Sequence, residues 1–128
     1  MTTKIVEIVL PASPESVRTA RGLVNELQEH LREDTAEDLK ILISEVVTNS
    51  IRHGGLLADE NVGLKILVEN RVVRAEITDS GTGFTYVGRF DADTGSGWGL
   101  ELVERLSSRW GVETNSHTKV WFEIDLAA

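Results

Sequence analysis

Two segments rich in apolar and β-branched residues stand only two residues apart, and this spacing constrains the fold more than any other feature of the chain. Residues 62–69 (VGLKILVE) and 72–79 (VVRAEITD) each have the length and composition of a strand. Asn70 and Arg71 leave room only for a tight turn between them. Strands joined in this way pair antiparallel. The sequence therefore predicts a hairpin within an antiparallel sheet.

The other elements alternate between helical and extended patterns. In chain order we predict a strand at 3–10, a helix from Ser13-Pro14 to about residue 32, a helix from Asp34 to Gly54, the hairpin, a helix at about 98–109, and strands at 111–115 and 118–126. Asp34 with Glu37 resembles a capping box. Helices that cover one face of a mostly antiparallel sheet form a two-layer sandwich of the α+β class. One domain over residues 1–128 is expected.

Composition and charge exclude several classes of function. The chain has no cysteine, which excludes disulfides and cysteine-ligated metals and favours a reducing, cytoplasmic setting. Thirteen basic and twenty-one acidic residues give a net charge of −8, which disfavours nucleic acid and anionic membranes as partners. The apolar stretch near the N-terminus is short and broken by Glu7, so neither a signal peptide nor a membrane span is predicted there.

A polar stripe interrupts the second predicted helix. Glu45 and Asn49 are four residues apart and share a face, which Arg52 and His53 extend by one turn. Such a stripe is most often a solvated surface. Asparagine is nevertheless a poor residue for a helix interior, and its side-chain oxygen can coordinate a cation. The helix alone leaves both interpretations open.

Two glycine-rich groups flank a long loop. Asp79-Ser-Gly81-Thr-Gly83 follows a strand, and Gly95-Ser-Gly97-Trp-Gly99 opens the third helix. Glycines allow backbone amides to approach a ligand, and a helix N-terminus favours phosphate. Neither group is a dinucleotide-binding fingerprint or a Walker loop. Each alone is more typical of an ordinary turn.

The three motifs in this order resemble the N, G1 and G2 boxes of the GHKL ATPase superfamily, which has the Bergerat, or histidine-kinase-like ATPase, fold. Within it, LISEVVTNSIRHGG, GWGLELVERLSSRWGV and TKVWFEI are most similar to the anti-sigma factor serine/threonine kinases and their stand-alone ATP-binding relatives.

The resemblance implies ATP and Mg²⁺ as cofactors and gives roles to particular residues. Glu45 would be the general base, and Asn49 would hold Mg²⁺. Asp79 would accept a hydrogen bond from the adenine amino group, and Thr118 would join Asp79 through water. Residues 84–94 would form a short lid. The other residues implied at the nucleotide site are Arg52, Gly81, Gly83, Gly95, Gly97, Gly99 and Leu100.

Two functions follow from the resemblance. As an enzyme, the protein would transfer the γ-phosphoryl group of ATP to a serine or threonine of a small STAS-like antagonist protein and so control a sigma factor. Alternatively, it would be a non-catalytic ATP-binding regulatory module whose lid switches partner binding. The related kinases are commonly homodimers. A third interpretation, a structural domain whose glycines form only turns, requires three boxes to align by chance.

Overall fold

The computed structural model describes residues 2–53, 60–79, 98–114 and 117–126. Five strands and three α-helices occupy these ranges. In chain order they are β1 (Thr2–Pro11), α1 (Glu15–Val24), a short 3₁₀ helix (Asn25–Leu27), α2 (Glu33–His53), β2 (Asn61–Glu69), β3 (Val72–Asp79), α3 (Trp98–Leu106), β4 (Arg109–Thr114) and β5 (Thr118–Asp125).

The five strands form one sheet in the order β1-β2-β3-β5-β4, and every neighbouring pair is antiparallel. The hairpin predicted around Asn70 and Arg71 is present as β2 and β3. The C-terminal strand β5 inserts between β3 and β4. β3 is therefore the middle strand, and its last residue lies beside the first residue of β5.

One face of the sheet forms the core. In β2, β3 and β5 every second residue is buried, as expected for strands with one covered face. Helix α2 packs against these three strands, against α1 and against α3. The apolar residues that α2 buries are Ala36, Leu39, Leu42, Ile43, Val46 and Val47. This arrangement confirms the predicted α+β class, with the helices on one face of the sheet.

The opposite face of the sheet carries a network of charged residues. The Arg74 guanidinium lies 2.8 Å from the Glu76 carboxylate, 3.0 Å from that of Glu123, and 4.4 Å above the centre of the Trp121 ring. Arg109 also donates to Glu123, at 2.8 Å. The hydrogen bond from Arg109, reinforced by Arg74, holds the pKa of the Glu123 carboxyl below its usual value. Lys119 also lies 3.7 Å from the Glu76 carboxylate and extends this network.

The first helix is shorter than its hydrophobic spacing predicts. Helix α1 ends at Val24, and the chain continues through the 3₁₀ helix rather than to residue 32. Asn25 keeps helical backbone angles, so the helix tightens into a 3₁₀ turn there before the chain leads into α2, which packs against α1. Leu27 is nevertheless buried and Leu31 packs against the core. The spacing thus identified the buried residues correctly and the helix end wrongly.

The third helix also ends early. It stops at Leu106, and the Ser107 hydroxyl donates to the Val103 carbonyl at its end. Strand β4 begins at Arg109, two residues before the predicted position, because that residue pairs with Glu123 of β5. Cross-strand pairing here outweighs local helical preference.

Two predicted helix starts differ in detail. Helix α1 begins at Glu15, so Pro14 precedes its first turn, and the Ser13 hydroxyl donates to the Glu15 carboxylate. Helix α2 begins at Glu33, one residue early, and Asp34 accepts from the Thr35 amide at 2.8 Å instead of capping the helix.

Within the described ranges, no helix combines the length and apolar composition that crossing a bilayer requires.

Candidate functional site

Helix α2 carries Glu45 and Asn49 on successive turns, beside its buried apolar stripe. Asn49 has only 4% of its surface exposed, whereas Glu45 is half-buried. The neighbouring Val46 and Val47 are buried against the core and fix the rotation of the helix. Glu45 and Asn49, the part of the predicted polar stripe whose side chains are described, therefore lie at the margin of the core and are not fully solvated.

Asp79 and Thr118 lie opposite each other at one end of the sheet. They are register partners across β3 and β5 and are 1% and 0% exposed. The buried positions that precede Asp79 on β3 and follow Thr118 on β5 are all apolar, namely Val73, Ala75, Ile77, Val120, Phe122 and Ile124. The core face thus ends in a carboxylate and a hydroxyl.

The Thr118 hydroxyl has no hydrogen-bond partner among the described residues. A buried hydroxyl in this state is costly, and native proteins usually complete it with water or a ligand. Adenine presents a donor and acceptors on adjacent atoms of its edge, which a carboxylate beside a hydroxyl can match. The residues at this end of the sheet therefore fit the adenine group that the resemblance implies.

The direction of α2 brings its polar stripe to the same end. Thr35, at the start of α2, lines one cleft together with Asn70, Arg71 and Asp125, at the opposite end of the sheet. Asn49 lies fourteen residues beyond Thr35, about 21 Å along a helix. Thr118 lies seven residues before Asp125, about 23 Å along a strand. The two lengths are similar, which agrees with Asn49 lying toward the same end of the sheet as Thr118 and Asp79.

Helix α3 adds a third component. It begins at Trp98, within the second glycine group, so Gly99 and Leu100 occupy its first turn. The first amides of a helix have no intrahelical partner and carry the positive end of its dipole. Because α3 packs on α2, these amides belong to the layer that carries Glu45 and Asn49. This placement agrees with a phosphate-binding helix start.

Several predicted site residues fall outside this description. Outside the described residues lie the predicted lid at 84–94 and four of the glycines, namely Gly81, Gly83, Gly95 and Gly97. The backbone of Arg52 and His53 forms the last turn of α2, but their side chains are not among those described. Their roles stay predictions.

A further buried polar residue follows Asn49 on α2. Ser50 is 0% exposed and lies on the side of the helix that buries Val46 and Val47. It therefore belongs to the packed face of α2.

Comparison with known proteins identifies the class. Residues 10–124 match the histidine kinase-like ATPase domain, so the chain belongs to that family. This confirms the resemblance to the GHKL superfamily.

Individual relatives indicate which members of the histidine kinase-like ATPase family the chain resembles. The chain is 28% identical over 116 residues to the serine-protein kinase RsbW of Listeria monocytogenes serovar 1/2a. This match covers 79% of this chain and 74% of the relative. It is 29% identical over 82 residues to the RsbW of serotype 4a, covering 62% of this chain and about half, 52%, of that protein. These relatives agree with an anti-sigma factor kinase-like ATPase.

A solved structure supports the fold. The crystal structure of the RsbU and RsbW domains of Rv1364c from Mycobacterium tuberculosis superposes with a TM-score of 0.75 at 23% identity. The match covers 97% of this chain and 32% of the larger one. At this identity the likeness concerns the fold alone.

Proposed function

We propose that this protein binds Mg·ATP at the Asp79 end of its sheet and transfers the γ-phosphoryl group to a serine or threonine of a small STAS-like antagonist protein, thereby controlling a sigma factor. Membership of the histidine kinase-like ATPase family supports the ATP-binding, kinase-like part of this function. The observation that carries the proposal is the buried Asp79–Thr118 pair at the end of the core face of the sheet.

The sheet and the helix layer would bind different parts of Mg·ATP. In the proposal, Asp79 and Thr118 of the sheet bind the adenine ring. Helix α2 supplies Asn49 as a ligand for Mg²⁺. Bound Mg·ATP would supply the phosphoryl group and the cation that neutralises its oxygens. Glu45, half-buried and on the same helix face as Asn49, would accept the proton of the attacking hydroxyl as the new ester bond forms and ADP leaves.

Phosphotransfer tests the enzymatic part of the proposal. Wild type and Glu45→Ala are incubated with labelled Mg·ATP and a lysate of the source cells, and ATP binding is measured in parallel. We expect wild type alone to label a single small protein on serine or threonine, while both proteins bind ATP. The matched control is Glu37→Ala, which removes an exposed glutamate two turns earlier on the same helix. If neither protein labels a partner but both bind ATP, the function is the non-catalytic regulatory module.

A homodimer is the proposed assembly. Strand β1 is an edge of the described sheet, and its outward-facing Ile5 and Val9 are 51% and 65% exposed. An edge strand with exposed apolar residues favours pairing with another chain. Light scattering after size exclusion should give twice the mass of the 128-residue chain for wild type and the single mass for Val9→Lys.

A further inference from the structure

Three large apolar side chains are exposed among the described residues, and the proposed assembly accounts for two of them. Ile5 and Val9 lie on β1, at the proposed dimer contact. The third is Ile41, which belongs to α2 and is 43% exposed. A single exposed isoleucine is common on protein surfaces. The position of Ile41 relative to Glu45 nevertheless suggests a function.

Ile41 lies one turn before Glu45 on the same face of α2. The two residues are four apart, about 6 Å along the helix axis. Helix α2 packs against the sheet, α1 and α3, and the exposed fraction of Ile41 shows that this face of the helix is left uncovered. A protein whose hydroxyl reaches the Glu45 carboxylate from solvent therefore comes close to Ile41 as well.

The stability of the helix does not favour isoleucine at position 41. The residue one turn earlier is Glu37, which is exposed. A lysine at position 41 would pair with Glu37, and both lysine and glutamine have a higher helix propensity than isoleucine. An apolar side chain between two glutamates on an uncovered helix face is therefore better explained by contact with a partner than by the fold of the free chain.

We infer that Ile41 is a specificity-determining residue for the protein acceptor. It contacts an apolar side chain close to the serine or threonine that is phosphorylated, and so holds that hydroxyl beside Glu45. The inference rests on the proposed phosphotransfer and adds an acceptor contact to it. Ile41 is not a contact of the nucleotide, because the proposed Mg²⁺ ligand Asn49 lies eight residues further along α2, about 12 Å away.

The test compares acceptor labelling by wild type, Ile41→Gln and Ile41→Leu. Each protein is incubated with labelled Mg·ATP and serial dilutions of a lysate of the source cells, and the initial rate of labelling of the small acceptor protein is recorded. Glutamine removes the apolar surface without placing a charge beside Glu45, whereas leucine keeps that surface. The Kd for Mg·ATP and the melting temperature without nucleotide are measured for the same proteins.

The expected effect follows from the apolar surface that the acceptor would cover. Burying the exposed part of one isoleucine side chain, a little under half of it, corresponds to about a three- to tenfold change in affinity. Ile41→Gln should raise the lysate concentration at half-maximal rate by that factor and leave the maximal rate and the Kd for Mg·ATP unchanged. Its Tm should stay within about 2 °C of wild type. Ile41→Leu and the control Glu37→Ala should behave as wild type does.

Three results would overturn the inference. An unchanged half-maximal concentration in Ile41→Gln would show that the acceptor docks elsewhere. A lower maximal rate, or a fall in Tm beyond about 2 °C, would assign Ile41 to the chemistry or to the fold of the free protein. Absence of labelling by wild type would remove the proposed phosphotransfer and the acceptor contact with it. That failure is distinguishable from the first two, in which wild type still labels its acceptor.

Discussion

Replacing Thr118 by valine should change stability and ligand binding in opposite directions. The two side chains have the same shape, and valine suits a strand at least as well as threonine does. The Thr118 hydroxyl is fully buried and lacks a hydrogen-bond partner among the described residues. Leaving such a group unsatisfied costs about 1–3 kcal/mol. Thr118→Val should therefore raise the free energy of unfolding without nucleotide by about 1–2 kcal/mol.

The stability change can be measured by thermal unfolding without nucleotide. For a chain of this length, 1 kcal/mol corresponds to about 3–5 °C in Tm, so a rise of about 3–10 °C is expected. The matched control is Thr78→Val, one residue before Asp79 and on the opposite, half-buried face of the sheet. That substitution should change the free energy of unfolding by less than about 0.5 kcal/mol.

The same substitution should weaken nucleotide binding. Loss of one hydrogen bond raises Kd by about three- to tenfold. A ligand present at one hundred times its Kd stabilises a protein by about 2.7 kcal/mol, and a tenfold weaker Kd reduces this to about 1.4 kcal/mol. The ATP-induced rise in Tm should therefore fall to between about half and three quarters of that of wild type. A lower Tm without nucleotide, or an unchanged ATP-induced shift, would refute the reasoning.

Three further predictions concern other parts of the molecule. Gly111→Ala should destabilise the protein by about 1–3 kcal/mol in chemical unfolding, since the new Cβ would lie 2.7 Å from Nε1 of Trp121; an unchanged midpoint would contradict this contact. The pKa of Glu123 is lowered, mainly by Arg109, so its contribution to stability should be complete above the unfolded pKa of about 4.3 and should disappear as the pH falls through the lower folded value. An acid titration of Tm should therefore fall less steeply for Glu123→Gln than for wild type, and parallel curves would contradict the ion pair. Asn49→Ala should abolish the Mg²⁺ dependence of ATP affinity in calorimetry, and a retained dependence would place the cation elsewhere.

The sequence by itself determined the local helices and strands and the residue types of the three box motifs. Two residues between strands leave only a hairpin, so β2 and β3 followed from Asn70 and Arg71 without tertiary information. The four-residue spacing of Glu45 and Asn49 similarly determined their shared helix face. These inferences succeed because they depend on bond geometry within a few residues.

The tertiary structure decided which distant elements meet. Nothing local in the sequence places β5 beside β3, yet that pairing sets Thr118 opposite Asp79. The helix predicted to about residue 32 likewise included Leu27 and Leu31, which do contact the core, but the local pattern could not locate the end of α1, because a turn can keep both residues against the core. Periodicity reports which side of an element is buried, whereas the partner across the core depends on long-range packing.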